Sequence, residues 1–170
     1  MTNIYRCKAL LSAKAVLISF ILSLFAFTGS ASAETTLEKI KRTGKTTVGT
    51  EAAFPPFEFI KDGKIVGYGK DILDYIIADL GVELNQLDLP WQGILPGVLA
   101  GKFDFVATSV SIRPERVVKY AYTVPIAEGT TWTMKRAGDD SMKSIDDLAG
   151  KVVGTQLASA GEATGKEFEA

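Results

Sequence analysis

Past residue 34 the apolar positions alternate between a spacing of two and a spacing near 3.6, and each switch marks a new element. Residues 36–42 put Leu37 and Ile40 on one side of a short amphipathic helix that Gly44 stops. Residues 45–50 alternate as a strand and run into Phe54-Pro55-Pro56-Phe57, where two prolines exclude a helix and hold the chain extended. Asp62-Gly63 is a tight-turn pair joining short strands at 57–60 and 64–67. Residues 69–80 have the clearest helical spacing, with Ile72, Leu73, Ile76, Ile77 and Leu80 on one face and Gly81 as C-cap. A strand at 82–89 and a helix at 91–100 follow; Ile94, Leu95, Val98 and Leu99 are expected inward and Pro96 in the first turn. Residues 103–107 form a further strand. The order strand, helix, strand, helix, strand predicts a parallel α/β sheet.

Beyond residue 119 the pattern changes. Residues 120–123 and 130–134 read as extended, and a polar break covers 136–141. Ser144 is placed to cap a short helix over 144–148, with Asp146 and Asp147 in its first turn. Residues 151–155 read as a strand and 159–168 as the beginning of a helix. So short a strand and helix cannot bury their own apolar face. The chain is therefore expected to hold a nearly complete first α/β lobe at 34–127, then a crossing segment and the incomplete start of a second α/β lobe at 128–170.

The first 33 residues stand apart. Arg6, Lys8 and Lys14 precede an apolar run from 15 to 27, and Gly29-Ser30-Ala31-Ser32-Ala33 supplies small residues. That is a secretory signal peptide with cleavage expected after Ala33, since the run is well short of the ~20 residues a membrane span needs. Cys7, the one cysteine, precedes the apolar run, so it is not a lipoprotein's acylated cysteine and leaves the mature chain without a disulfide. The signal holds three of the 19 Lys and Arg and none of the 20 acids, so the remainder carries 16 against 20, a net charge of −4. A mildly acidic chain without a basic tract argues against a nucleic-acid partner. There is no histidine, which removes Ser-His-Asp and Cys-His catalysis and the usual zinc sites. No Asp-x-Asp-x-Asp-Gly calcium loop is present, and no cofactor is expected.

The chemistry concentrates between Phe103 and Tyr122. A strand passes into Thr108, Ser109 and Ser111, and Arg113-Pro114-Glu115-Arg116 then begins a short helix, with proline suited to its first position and Glu115 to its positive end. Exposed hydroxyls and amides at a strand end, followed by arginine at a helix start, make a receptor for a small carboxylate. Arg116 is either that receptor's cation or a solvated charge. Trp91 and Phe54 follow strand ends beside prolines and either line a cleft or cap the core. Glu51 is a ligand contact or a plain loop carboxylate. Arg113 reads as a solvated neighbour, and Lys102 and Asp104 as structural.

Val48-Gly49-Thr50, Phe54-Pro55-Pro56-Phe57-Glu58-Phe59, Gly63-Lys64-Ile65-Val66-Gly67-Tyr68, Asp71-Ile72 and Trp91-Gln92-Gly93-Ile94-Leu95-Pro96 follow one another in a recognisable order. Gly101-Lys102-Phe103-Asp104, Ser109-Val110-Ser111-Ile112-Arg113-Pro114-Glu115-Arg116 and Leu148-Ala149-Gly150-Lys151-Val152-Val153-Gly154 continue it. Together they resemble family-3 solute-binding proteins, the polar-amino-acid receptors of bacterial ABC importers, from residue 46 to the end. The resemblance implies a periplasmic-binding-protein-like fold of two lobes that close over one amino acid by a hinge motion. It implies a monomeric periplasmic receptor, not an enzyme, that hands its solute to a membrane permease.

By the same resemblance Arg116 forks onto the ligand's α-carboxylate with help from the Ser111 amide. The Ser111 hydroxyl and Ser109 carbonyl accept from the α-ammonium. Phe54 and Trp91 flank the ligand side chain, Glu51 lies near its far end, and the amides around Ser159 and Ala160 complete the carboxylate site. Three positions depart from the family: Glu51 stands where aspartate is frequent, Arg113 where threonine is, and Leu157-Ala158-Ser159-Ala160 replaces a Gly-Thr-Thr. The acid that pairs with the ligand ammonium falls beyond Ala170, so the chain reads as a truncated receptor, expected to be poorly stable and to bind negligibly by itself. Two other classes are open: dehydratases and murein-enzyme front domains, which resemble the same fold and for which only Glu51 is placed as acid or base, and the sensor domain of a membrane kinase.

Overall fold

The computed structural model describes residues 33–168. The export signal expected at 1–33 therefore lies, but for its last residue, outside the described residues. The chain divides into two compact units at Lys39/Ile40. In the described part of the first, Thr35 and Glu38 cap each other: the Glu38 carboxylate accepts from the Thr35 amide at 2.8 Å and the Thr35 hydroxyl from the Glu38 amide at 3.2 Å. They open α1, Thr36–Thr43.

The second unit is built on β1, Lys45–Thr50. It lies between β5, Glu83–Asp88, and β6, Phe105–Val106, and both pair with it in parallel. Lys45 stands opposite Glu83 and Thr50 opposite Asp88; Val48 stands opposite Phe105. A central strand is buried on both faces, and β1 shows it: Thr46, Val48, Gly49 and Thr50 are all buried. Its buried hydroxyls are satisfied. Thr50 donates to the Ala107 carbonyl at 2.8 Å and accepts from Gln86 at 2.9 Å, and Thr46 donates to Asp104 at 3.2 Å.

Three short strands make a separate antiparallel sheet: β2, Ala53–Phe54; β3, Glu58–Lys61; and β4, Lys64–Val66. The expected Asp62-Gly63 turn joins the last two, with φ of 51° and 74°. α2, Tyr68–Leu80, follows and ends at Gly81 in the left-handed conformation, as its position predicts. Of its apolar face only Leu73 is buried, and Ile76 is 41% exposed. α3, Trp91–Leu99, packs on β1 and β6 and buries Trp91, Ile94 and Gly97. Pro96 falls in the second turn of this helix, not the first.

The strand expected at 103–107 shortens to two residues because its ends do other work. Phe103 turns into the core, 4% exposed, between Gly49 and Gly97; a β-carbon on either glycine would stand 2.6 Å from its ring. Asp104 turns back onto β1, where its carboxylate accepts from the Thr47 amide at 2.9 Å. Its structural reading is correct.

α4, Pro114–Val117, begins with proline at its first position, as expected. Residues 120–123, 130–134 and 151–155 are not strands. A strand exists only by pairing, and among the described residues no segment pairs with these. The 144–148 segment is a 3-10 turn, Ile145–Leu148, in which Asp147 accepts from the Lys143 and Ser144 amides. α5, Ala160–Lys166, is capped by Ser159, whose hydroxyl accepts from the Glu162 amide at 3.1 Å.

Candidate functional site

The end of β6 and the start of α4 form the centre of the site. Arg116 lies in the last turn of α4 and is only 8% exposed. Its guanidinium sits 5.4 Å above the Trp91 ring, which the start of α3 buries beneath it. Two bonds set its direction: one nitrogen donates to the Ser111 carbonyl at 3.2 Å and the other to the Ala158 carbonyl at 3.1 Å. A guanidinium carries five N–H donors, so this anchoring leaves donors for a carboxylate. Arg116, Trp91, Lys119, Tyr120 and Ala158 share an open depression of about 240 Å3.

Arg113 differs. It pairs with Glu115 and, at 3.5 Å, with Glu167, and the Glu115 bond raises its pKa. Arg113 is therefore not the solvated neighbour expected but a half-buried, ion-paired side chain.

Ser111 is exposed, and its carbonyl also receives the Tyr122 hydroxyl at 3.5 Å. Its hydroxyl and amide make no hydrogen bond among the described residues, so both remain available to a solute. Ser109 is anchored on its other side. Its amide and hydroxyl donate to the two carboxylate oxygens of Glu58 at 3.1 and 3.0 Å, and Thr108 adds a third bond at 3.3 Å. Only the Ser109 carbonyl is left uncommitted.

Glu58 is the site residue that sequence reasoning passed over. It is 2% exposed and opens β3. Burial pushes its pKa above the ordinary carboxylate value, and the bonds from Ser109 and Thr108 oppose that rise. Within Phe57-Glu58-Phe59 alternation suggests two aromatics inward and an acid outward, whereas the phenylalanines are half-buried and the acid is buried. The available signal was the run of hydroxyls at 108–111, which needs an acceptor.

The other expected residues lie around this centre. Glu51, half-buried after β1, accepts from the Gln156 side chain at 2.6 Å. Phe54 is 48% exposed and stacks on Phe57 with ring centroids 5.5 Å apart, so it is not a core residue. It makes no ring contact or hydrogen bond with Arg116 or Trp91 among the described residues. The Ser159 amide donates to the Gln156 carbonyl at 3.2 Å, and Ala160 is the first residue of α5. Ala158, with φ of 60°, is the residue of this segment that reaches Arg116. No cluster of three or more acids among the described residues is placed to hold a metal ion.

Comparison with known proteins gives this arrangement a context. L-cystine-binding protein TcyJ of Escherichia coli K12 is 34% identical over 123 residues, which is 71% of this chain and 46% of that protein. The chain thus spans about half the length of the curated relatives it matches. Among solved structures, the ancestral amino acid-binding protein AncCDT-1, a precursor of cyclohexadienyl dehydratase, superposes with a TM-score of 0.71 at 35% identity. The match covers 79% of this chain and 61% of that one. A mutant of the arginine-bound form of domain 1 from TmArgBP superposes with a TM-score of 0.50 at 34% identity, over 63% of this chain and 78% of that one. Residues 46–161 match the bacterial extracellular solute-binding proteins, family 3, and the chain belongs to that family.

Proposed function

We propose that this chain is part of an extracytoplasmic receptor that captures a small polar amino acid and delivers it to the permease of an ABC transporter. The observation that carries the reading is Arg116: buried on Trp91, aimed by two carbonyls and left with donors beside the unpartnered amide and hydroxyl of Ser111. In this reading Arg116 and the Ser111 amide take the α-carboxylate. The Ser111 hydroxyl and Ser109 carbonyl take the α-ammonium. Phe54 and Trp91 bound the side chain, Glu51 meets its far end in place of Gln156, and the Ala160 amide, joined by that of Ser159 once it releases the Gln156 carbonyl, closes the carboxylate side. The receptor is exported by its N-terminal signal, works as a monomer in the periplasm and performs no chemistry. Lobe boundaries at 127/128 belong to the same proposal.

The enzymatic alternative needs a carboxyl group turned into the cleft with a raised pKa. Glu58 has the raised pKa, but both its oxygens are turned onto Ser109 and Thr108, which favours the receptor. The arginine-bound domain 1 from TmArgBP supports a further revision. Against the expectation of negligible binding, the first-lobe residues here suffice for measurable capture. Calorimetric titration of the chain with each of the twenty amino acids and L-cystine tests this. Saturable heat with at least one polar amino acid is expected; none with any of them overturns the proposal.

A further inference from the structure

Glu58 holds the solute-facing loop from behind. Its carboxylate is enclosed by three parts of the fold. β3 carries it, the 108–109 turn donates three hydrogen bonds to it, and the start of α2 backs onto it so closely that a β-carbon on Gly69 would stand 1.8 Å from Oε1. Gly69 is itself fixed, its amide donating to the Phe57 carbonyl at 3.0 Å. Two of the three bonds spend the Ser109 amide and hydroxyl and leave its carbonyl as the residue's remaining polar group. Two residues on, Ser111 presents its amide and hydroxyl, and its carbonyl aims Arg116.

We propose that Glu58 is a positioning residue of the solute site: without touching the amino acid, its buried carboxylate fixes the 108–111 loop at which the carboxylate and ammonium are held. The inference rests on the receptor reading and extends it to a residue that has no place among the direct contacts. A carboxylate is not essential to the role. A glutamine of the same shape accepts the Ser109 amide and Thr108 hydroxyl on its oxygen and donates to the Ser109 hydroxyl through its amide.

The test compares Glu58→Gln, Glu58→Ala and Gly69→Ala with the wild-type chain by calorimetry, using L-arginine, L-histidine, L-cystine and L-glutamine as probes. Hydrogen exchange is followed at residues 108–111 without any probe. Glu58→Gln keeps wild-type affinity within about threefold and wild-type exchange. Glu58→Ala loses on the order of ten- to a hundredfold in affinity, as expected for loss of charge-assisted bonds, and exchanges faster at 108–111. Gly69→Ala, which displaces the carboxylate while leaving it present, shifts both readouts in the same direction and stands in if Glu58→Ala does not fold. Unchanged exchange at 108–111 in both alanine variants overturns the positioning role, whatever binds. Faster exchange in chains whose wild type binds none of the amino acids overturns the receptor reading and, with it, the link between this loop and a solute. A glutamine variant as impaired as the alanine variant overturns the shape argument.

Discussion

Replacing Arg116 by alanine removes several contacts at once, and the structure separates their effects. The guanidinium makes two charge-assisted hydrogen bonds within the protein and one stacking contact with a buried tryptophan. Ser111 and Ala158 are both exposed, so water can take over their carbonyls and their loss matters little to folding. The stacking contact is worth about 0.5–2 kcal/mol. Stability should therefore fall by roughly 1–3 kcal/mol, enough to lower Tm and not enough to unfold a well-behaved domain.

Binding should fall more sharply. A carboxylate bridged to a guanidinium gains ~1.5–3 kcal/mol, so Arg116→Ala weakens amino-acid binding on the order of ten- to a hundredfold. Arg116→Lys keeps the charge, loses the planar fork and falls between the two. Arg113→Ala, which breaks only surface ion pairs, changes affinity by less than about twofold. Calorimetry with the tightest-binding amino acid, at a temperature well below the Tm of every variant, measures all four. Wild-type affinity in Arg116→Ala, or an equal loss in Arg113→Ala, refutes the assignment of the carboxylate site.

Other expectations concern the scaffold. Gly49→Ala forces a methyl group against the Phe103 ring and destabilises by about 1–3 kcal/mol in urea unfolding, and Phe103→Leu in the same chain restores part of the loss. Asp104→Ala leaves the Thr47 amide without its carboxylate and costs about 1–3 kcal/mol, of which Asp104→Asn recovers a share. Glu58 gives a pH dependence whose sign is set by its raised folded-state pKa. Its contribution to stability is fully present below the unfolded-state pKa and is lost as pH rises through the folded-state value. The hydroxyls of Thr108 and Ser109 and the Ser109 amide face it, and among the described residues no charged side chain contributes to the shift. The Tm of Glu58→Gln should therefore rise relative to wild type between pH 4 and pH 7. A constant difference over that range contradicts the buried, pKa-raised carboxylate.

Most of the first lobe was legible because its signals are local. The alternation of 45–50, the Asp62-Gly63 turn and the spacing of Leu73 and Ile77 before Gly81 each act within a few residues of one another. The place of Arg116 in α4 was legible too, since Pro114 fixes where that helix starts. Glu58 was not: its partners lie some fifty residues away, and its own neighbours, Phe57 and Phe59, point to the opposite orientation. Pro96 was misplaced although the start at Trp91 was right: at about 3.6 residues per turn the sixth residue of a helix lies in its second turn. The segments 120–123, 130–134 and 151–155 carry strand-forming residues, but extended backbone becomes a strand only when another edge accepts it. Composition alone does not report whether that edge is there.

The bond from Arg116 to the Ala158 carbonyl joins residues 42 apart in the chain, and it makes one guanidinium serve two masters. In the receptor reading a solute carboxylate approaches the same group that tethers the 156–160 segment, beside the Gln156 side chain that occupies Glu51. Two equilibria that share a group are linked, and linkage is reciprocal. Whatever the solute does to the grip on this segment, the segment does in equal measure to the grip on the solute. The segment thus acts as an internal competitor or an internal accomplice, and mutations at Ala158 or Gln156 adjust the receptor's affinity through that linkage.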